Sequence, residues 1–267
     1  MRQPTIAAIV VTRDRPRLLQ DALASVAAQR FSPREVRIAD DGDLPAVETA
    51  EGSGLLEVTV LPTDARRAGL ARNLAVRGSR SDLLAFLDDD DRWLPDHLAG
   101  LARAFADPEV DLAYRDVAVV RERIGARGER VELDRRVIAR DWNAALMRRD
   151  DYIPPSAWGV RRALFEWLGG FDAAFRFSED WDFLLRAAAL TMPRRVPGTT
   201  VEVRLREAGN SSADRGAERR ACLDELARRH GLAPPEIKTF WEVARDVGPA
   251  VAPAIEQPAD RRADPRE

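Results

Sequence analysis

Leu83-Leu84-Ala85-Phe86-Leu87-Asp88-Asp89-Asp90-Asp91-Arg92-Trp93-Leu94-Pro95 is the stretch on which the reading of this chain turns. Its short apolar run reads as a strand buried on both faces, the usual state in a parallel sheet. The four adjacent carboxylates that follow repel one another and cost folding energy unless a cation or solvent compensates them. Alternate residues of an extended segment point the same way, so Asp88 and Asp90 can face one site. Hard oxygen ligands select Mg2+ or Mn2+, which commonly share their shell with water and a substrate diphosphate. Taken alone, the run also fits a solvated acidic helix start, with Asp91 as the cap of the helix that follows.

Outward from this stretch, strands and helices alternate. Ile6-Ala7-Ala8-Ile9-Val10-Val11 is a second apolar run, followed by the polar turn Thr12-Arg13-Asp14-Arg15-Pro16. Leu18, Leu19, Ala22, Leu23, Val26 and Ala27 then recur at helical spacing. Glu35-Val36-Arg37-Ile38-Ala39 reads as a strand ending at Asp40-Asp41-Gly42. Further strands are expected over 55–61 and 110–114, and helices over 68–79 and 93–105. This order implies βαβ units and a mainly parallel sheet, an α/β fold. Between 121 and 150 charge dominates, which reads as a solvated connection or an exposed hairpin. Helices over 161–168 and 181–190, a strand over 199–205, and helices over 218–229 and 235–247 complete the pattern. The stretch 248–267, rich in proline, alanine and charge, buries too little apolar area to offset its ordering entropy and reads as a flexible tail.

Composition narrows the function classes. A chain of 267 residues with 45% hydrophobic content supports one substantial core. A formal net charge of -3 gives no global attraction to nucleic acid. The single cysteine, Cys222, excludes an internal disulfide and a cysteine zinc site, and its helical setting suits a structural thiol. His97 and His230, the two histidines, read as surface or boundary residues rather than metal ligands. No stretch approaches the roughly 18 to 20 apolar residues of a membrane span, and the first apolar run is too short for a signal-peptide core. The expectation is a soluble cytoplasmic protein without an integral membrane segment, for which a homo-oligomer is allowed.

In an open parallel sheet, ligands bind at the carboxyl ends of the strands. Four polar clusters fall on such ends: residues 12–15, Asp40-Asp41, residues 66–73 and residues 88–91. Asp40-Asp41-Gly42 is either an Asx turn or a carboxylate contact to a nucleobase or ribose. Arg72 and Asn73 are either surface residues or a bridge between base and diphosphate. Glu179-Asp180, before Trp181-Asp182, is either a helix cap or a general base whose proton affinity is raised by the apolar wall of Phe177 and Trp181. Tyr152 and Trp158 are assigned to an acceptor side or, equally, to the core.

Together these residues resemble the family 2 glycosyltransferases with the GT-A fold. Residues 9–16 resemble that family's apolar strand and T-x-N-R-P turn, with Asp14 where asparagine is usual. Ile38-Ala39-Asp40-Asp41-Gly42-Asp43 is similar to its V-D-D-G-S, Gly69-Leu70-Ala71-Arg72-Asn73 to its G-x-A-R-N, and residues 86–95 to its L-D-x-D-D-x-W-x-P signature. Ser178-Glu179-Asp180-Trp181-Asp182-Phe183 is similar to its E-D-x-D-L. The resemblance implies a Rossmann-like, mostly parallel GT-A sheet with helices on both faces, filling residues 1–215. Its nucleotide-binding half is expected at about 1–120 and its acceptor-side half at about 121–215, with C-terminal helices over 216–247 and the tail beyond.

The activity implied is inverting transfer of a sugar from a nucleoside-diphosphate sugar to an acceptor hydroxyl on a sugar, glycan or small molecule. A UDP-sugar is the default donor, with GDP- and TDP-sugars as alternatives. Asp88 and Asp90 form the D-x-D that holds Mg2+ or Mn2+, and Asp180 is the base, with Glu179 beside it. Thr12, Arg15, Asp40, Asp41, Arg72, Asn73 and Asp89 would line the donor. The family's loop histidine is missing from Arg206-Glu207-Ala208-Gly209-Asn210-Ser211-Ser212, which leaves Arg206 to meet the diphosphate or Glu207 to add a ligand. A sugar-nucleotide nucleotidyltransferase would need a glycine-rich, basic triphosphate loop after Val11, which the sequence lacks. A non-catalytic nucleotide-sugar-binding protein would not need the acidic run and Glu179-Asp180 together.

Overall fold

The computed structural model describes residues 3–44, 46–55, 57–125, 129–206 and 216–248. Its first half follows the alternation of the sequence. In chain order the elements are β1 (Ile6–Thr12), α1 (Pro16–Ala27), β2 (Glu35–Asp40), α2 (Val47–Glu51), β3 (Val58–Pro62), α3 (Ala68–Val76) and β4 (Leu83–Asp88). The four strands are parallel in spatial order β3-β2-β1-β4. Every residue of β4 except Asp88 is buried, as the continuous apolar run requires. Pro16 opens α1, where its missing N–H costs nothing.

The second half is assembled differently. It holds β5 (Arg92–Trp93), α4 (His97–Ala104), β6 (Leu112–Ile124), β7 (Arg130–Ile138), α5 (Ala144–Met147), a single 3-10 turn (Pro155–Ala157), β8 (Trp158–Arg161), α6 (Arg162–Trp167), α7 (Glu179–Ala188), β9 (Arg194–Arg206), α8 (Gly216–His230) and α9 (Phe240–Val247). The sheet continues β4-β8-β6-β9-β5, with β7 on the far end of β6. β8 joins both β4 and β6 antiparallel, and only β6 and β9 pair in parallel. The sheet is therefore parallel in one half and mixed in the other. The charged stretch 121–150 forms a hairpin, with a register shift at Arg121/Glu122. Its charge is matched within the sheet: Arg130 meets Glu122 at 2.9 Å and Arg135 meets Glu202 at 2.8 Å.

Several boundaries shift for local reasons. α7 starts at Glu179, two residues before the apolar spacing suggests. α9 starts at Phe240 rather than 235, because Thr239 and Glu242 form a capping box there. Tyr152 and Trp158 are 1% and 0% exposed, so the acceptor-side assignment is corrected to the core. Trp158 stacks on Phe183 at 5.2 Å and meets Phe86 at 4.8 Å. Phe171 and Phe165 complete this aromatic cluster, whose rings prefer tilted and offset contacts. The cluster underlies the end of β4, two residues from Asp88.

His97 is also corrected. It is buried, stacked on Trp93 at 4.7 Å, and shares a hydrogen bond with the Thr200 hydroxyl. Burial, with Arg115 nearby, pushes its pKa well below the usual histidine value, so it is held neutral. His230 lies at the boundary and meets the buried Asp182 at 2.9 Å. Cys222 is partly buried on α8. Among the described residues no helix is long and apolar enough to cross a membrane. The expected tail beyond Gly248 lies outside the described residues.

Candidate active site

β1 lies between β2 and β4. The chain therefore leaves β1 toward β2 on one side and returns from β3 to β4 on the other, and this reversal opens the crevice where α/β sheets bind ligands. Thr12 pairs with Asp40 across one seam and Val11 with Asp88 across the other. The crevice is a cleft of about 610 Å3. Thr12, Arg15, Asp41, Asp88, Asp89 and Asp90 line one side, and Glu179 and Asp180 line the other. Residues separated by more than a hundred positions thus converge.

The aspartate run divides by partner. Asp89 is buried and accepts hydrogen bonds from the Thr12 hydroxyl at 2.8 Å and from Arg15 at 3.2 Å. Arg15 also reaches Asp90 at 3.2 Å, and Arg206 reaches it at 3.0 Å. Asp91 does not cap the next helix, which is a correction. It is buried, accepts from the Ser156 hydroxyl at 2.5 Å and from the Arg204 backbone N–H at 3.3 Å. α4 begins six residues later at His97. Ser156 also accepts from the Asp88 backbone N–H at 3.1 Å, so one buried serine fixes two positions of the run.

Arg72 joins the two sides of the cleft. Its guanidinium donates to Asp88 at 2.5 Å and to Glu179 at 2.7 Å, and the side chain is 3% exposed. Burial works against its charge, but Asp88 and Glu179 outweigh burial and hold the pKa above the ordinary arginine value. The guanidinium is thus committed to carboxylates, rather than reaching between base and diphosphate as expected. Gly69 makes this contact possible: a Cβ there would lie 2.8 Å from Cγ of Glu179. The glycine lets α3 approach the start of α7.

Two expected residues are not brought to the cleft. The Asn73 amide donates to the Phe171 carbonyl at 2.7 Å and accepts from the Phe171 N–H at 3.0 Å. It pins the turn before α7, which occupies both ends of its amide. Asp40 accepts from the Ala46 N–H at 2.8 Å and shapes the loop after β2, so the Asx-type reading holds for it. Asp41 does face the cleft, where it accepts from Thr63 at 2.7 Å and from the Arg66 N–H at 3.0 Å. Arg206 is buried, pairs with Asp90 and lines a neighbouring cavity rather than the cleft, and Glu207 lies outside the described residues. Asp14, Arg66 and Ser178 have left-handed backbone, with φ of 55°, 53° and 62°. These are the described non-glycine residues with positive φ, and all three flank the cleft. Such conformations cost energy and gather at working sites. Asp14 offsets its cost locally by accepting from the N–H groups of Asp43 and Leu44.

Six arginines line the cleft, but among the described residues only Arg15 and Arg72 of these form ion pairs with its carboxylates; Arg66 meets Asp43 and Asp64, and Arg176 meets Glu218. Burial, reinforced by Asp90, pushes Asp89 up to about 7. Burial with Asp90 and Asp88 raises Asp91 well above the carboxylate range. Burial and Asp180 push Glu179 up to about 7 against the pull of Arg72. Asp180 is raised by burial, again against Arg72. Asp151, absent from the sequence-derived site, joins this group. Burial and the nearby Asp180 raise it well above the usual range. Its sequence signal is slight, an acidic pair ahead of the apolar run 152–158.

A divalent cation fits this donor set. Asp88 and Asp90 each keep one carboxylate oxygen that receives no hydrogen bond from the described residues. No cluster of three or more metal-ligating side chains occurs among the described residues. Two carboxylates, with water and a diphosphate to complete the shell, are the usual protein share for Mg2+.

Residues 7–168 match the model of glycosyl transferase family 2. The chain belongs to that family. This glycosyltransferase is 31% identical over 237 residues to the uncharacterized glycosyltransferase YwdF of Bacillus subtilis, covering 88% of this chain and 87% of the relative. Among solved structures it resembles S. aureus TarS 1-349 in complex with UDP-GlcNAc, with a TM-score of 0.62 and 20% identity over 84% of this chain and 66% of that one. It also resembles the mannosyltransferase PcManGT of Pyrobaculum calidifontis in complex with GDP-Man and Mn2+, with a TM-score of 0.60 and 18% identity over 86% of this chain and 64% of that one. The fold is that of the GT-A glycosyltransferases.

Proposed function

We propose that this glycosyltransferase is a metal-dependent inverting enzyme that moves a sugar from a nucleoside-diphosphate sugar to an acceptor hydroxyl. The observation that carries the reading is the meeting, in one cleft, of the Asp88–Asp90 carboxylates with Glu179-Asp180, joined by Arg72. Asp88 and Asp90 would hold Mg2+ or Mn2+, which when bound neutralises charge on the departing diphosphate. That PcManGT is described with Mn2+ supports the choice of metal.

Asp41 takes the nucleobase or ribose, at the end of β2 where the strand edge meets the cleft. Thr12 and Arg15 hold Asp89, and so the acidic turn, in place. Arg15 and Arg206 at Asp90 supply positive charge beside the diphosphate. Asp180 accepts the proton of the acceptor hydroxyl as its oxygen attacks the anomeric carbon from the face opposite the leaving diphosphate. The raised proton affinity of Asp180 suits a base working near neutral pH. Glu179 is tied to Arg72 and acts as its positioning neighbour. A UDP-sugar is the first choice of donor, supported by UDP-GlcNAc in TarS, with a GDP-sugar next, supported by GDP-Man in PcManGT.

Release of nucleoside diphosphate from a panel of sugar nucleotides, with Mn2+ and with EDTA, tests the reading. Release that depends on Mn2+ and is lost in Asp90→Ala is expected. Release indifferent to both would sink the metal assignment, and full turnover in Asp180→Asn would sink the base assignment.

A further inference from the structure

Beside Asp180 the site opens into a second cavity of about 760 Å3. Its walls come from distant parts of the chain: Arg121 at the outer end of β6, Asp151 and Trp181 beside the proposed base, Arg219 on α8, and Phe240 and Trp241 on α9. Phe240 lines both cavities, so they meet at that ring. Trp181 lines the second cavity while its chain neighbour Asp180 lines the donor cleft, which places the second cavity next to the base. A molecule held there approaches Asp180 from outside the donor cleft.

The charges of this cavity sort into matched and unmatched. Lys238 is held by Asp150 at 2.7 Å and Asp246 at 3.1 Å, and Arg149 by Asp150 at 2.7 Å. Arg245 meets Asp246 at 3.0 Å, and Glu242 is used in capping α9. Arg121 and Arg219 make no ion pair among the described residues. Arg121 lies over the Trp241 ring at 5.4 Å. Arg219 is half-buried and donates to the Lys238 carbonyl at 2.8 Å. Burial lowers its pKa, and the opposing influence of Glu242 does not restore it. A partly buried guanidinium without a counter-ion is costly, and its planar fork suits phosphate and carboxylate oxygens. Phe240 adds a flat apolar face of the kind that covers sugar C–H surfaces, while Arg121 and Arg136 lie over the Trp241 ring.

We propose that this cavity is the acceptor subsite and that its acceptor carries an oxyanion, a phosphate ester or a carboxylate, bound by Arg121 and Arg219 with the acceptor ring against Phe240. The inference rests on the reading of the neighbouring cleft as a sugar-donor site. It assigns part of acceptor choice to α8 and α9, outside the span that matches the family model, and part to Arg121 within it.

Binding of paired probes, measured by calorimetry with UDP and Mn2+ saturating, tests it: glycerol 3-phosphate against glycerol, and glucuronate against glucose. The charged member of at least one pair is expected to bind at least tenfold more tightly than its neutral partner. The pair that discriminates names the phosphate or the carboxylate as the anion. Arg121→Ala and Arg219→Met should each weaken that binding about tenfold, while Arg219→Lys retains most of it. Because the methionine and lysine variants keep the side-chain stem, a loss confined to Arg219→Met reports charge and not folding. Equal binding of charged and neutral probes, or anion affinity unchanged in both charge-removing variants, would overturn the proposal. Failure of any sugar nucleotide to release nucleoside diphosphate would overturn the donor reading instead, by a separate measurement.

Discussion

The donor-side cleft and the β6–β7–β9 part of the sheet are both crowded with Asp, Glu and Arg, yet they use them in opposite ways. In the sheet each buried carboxylate has a cation in reach. Asp116 takes Arg195 at 2.6 Å, Glu122 takes Arg130 at 2.9 Å, and Glu202 takes Arg135 at 2.8 Å. In the cleft Asp88, Asp89, Asp90 and Glu179 are paired by Arg15, Arg72 and Arg206, and Asp180 has no ion pair among the described residues. Matched charge within a sheet holds strands in register. In the cleft, burial reinforced by neighbouring carboxylates raises the proton affinity of Asp89 and Glu179, and the open face leaves room for a cation. Charge density alone does not mark a site; how the charges pair and the direction in which they face do.

The sharpest way to break this comparison is Asp180→Asn. Removing a general base costs about 10²- to 10⁴-fold in rate, so kcat should fall by that much while donor affinity stays close to wild type. A loss of affinity with kcat preserved would remove Asp180 from the chemistry. Arg72→Met comes next. Taking one partner from a buried ion pair costs about 3–5 kcal/mol, and here it leaves Glu179 and Asp88 facing each other. Denaturant unfolding should show that loss, and added Mn2+ should restore part of it if Asp88 binds metal. Unchanged stability would mean that the two sides of the cleft are not joined through Arg72.

A third test uses pH. Asp180 is raised by burial, and Glu179 beside it is pushed up to about 7. A base works only when ionised. The rate should therefore fall about tenfold per pH unit as the pH drops through the raised pKa of Asp180, at a higher pH than an ordinary aspartate would give. A profile that stays level down to pH 5 would mean that the pair titrates as ordinary carboxylates. The smallest effect belongs to the sheet. Glu132→Gln removes the outer partner of Arg135, which keeps Glu202. It should cost at most about 1 kcal/mol and leave kcat unchanged. A kinetic effect there would show that the matched region also serves the reaction.

The parallel half of the fold was legible because each of its strands is a short apolar run closed by a polar turn. Its connections are local, so the sequence order is almost the structural order. Thr12, Asp41 and Asp88 were legible for the same reason, since a residue at a strand's carboxyl end has few other places to face. The antiparallel joining of β8 between β4 and β6 was not legible, because pairing between residues as distant as Leu83 and Arg161, or Leu112 and Val160, leaves no local pattern. Nor could spacing separate Asp40 from Asp41, or Arg72 from Asn73. Neighbours on a loop or helix point in different directions, and only the docked partners decide which one meets the cleft.

By itself, then, the sequence determined the alternation of elements, the acidic end of β4 and the acidic start of α7, since these depend on residue type and short spacing. Only the tertiary structure decided that Arg72 ties that end to that start across 107 residues, that Asp91 is spent on Ser156 and not on a helix cap, and that α8 and α9 wall a cavity beside Asp180. Those outcomes depend on which surfaces pack together, and packing is set by the summed burial of the whole core rather than by any stretch of chain within it.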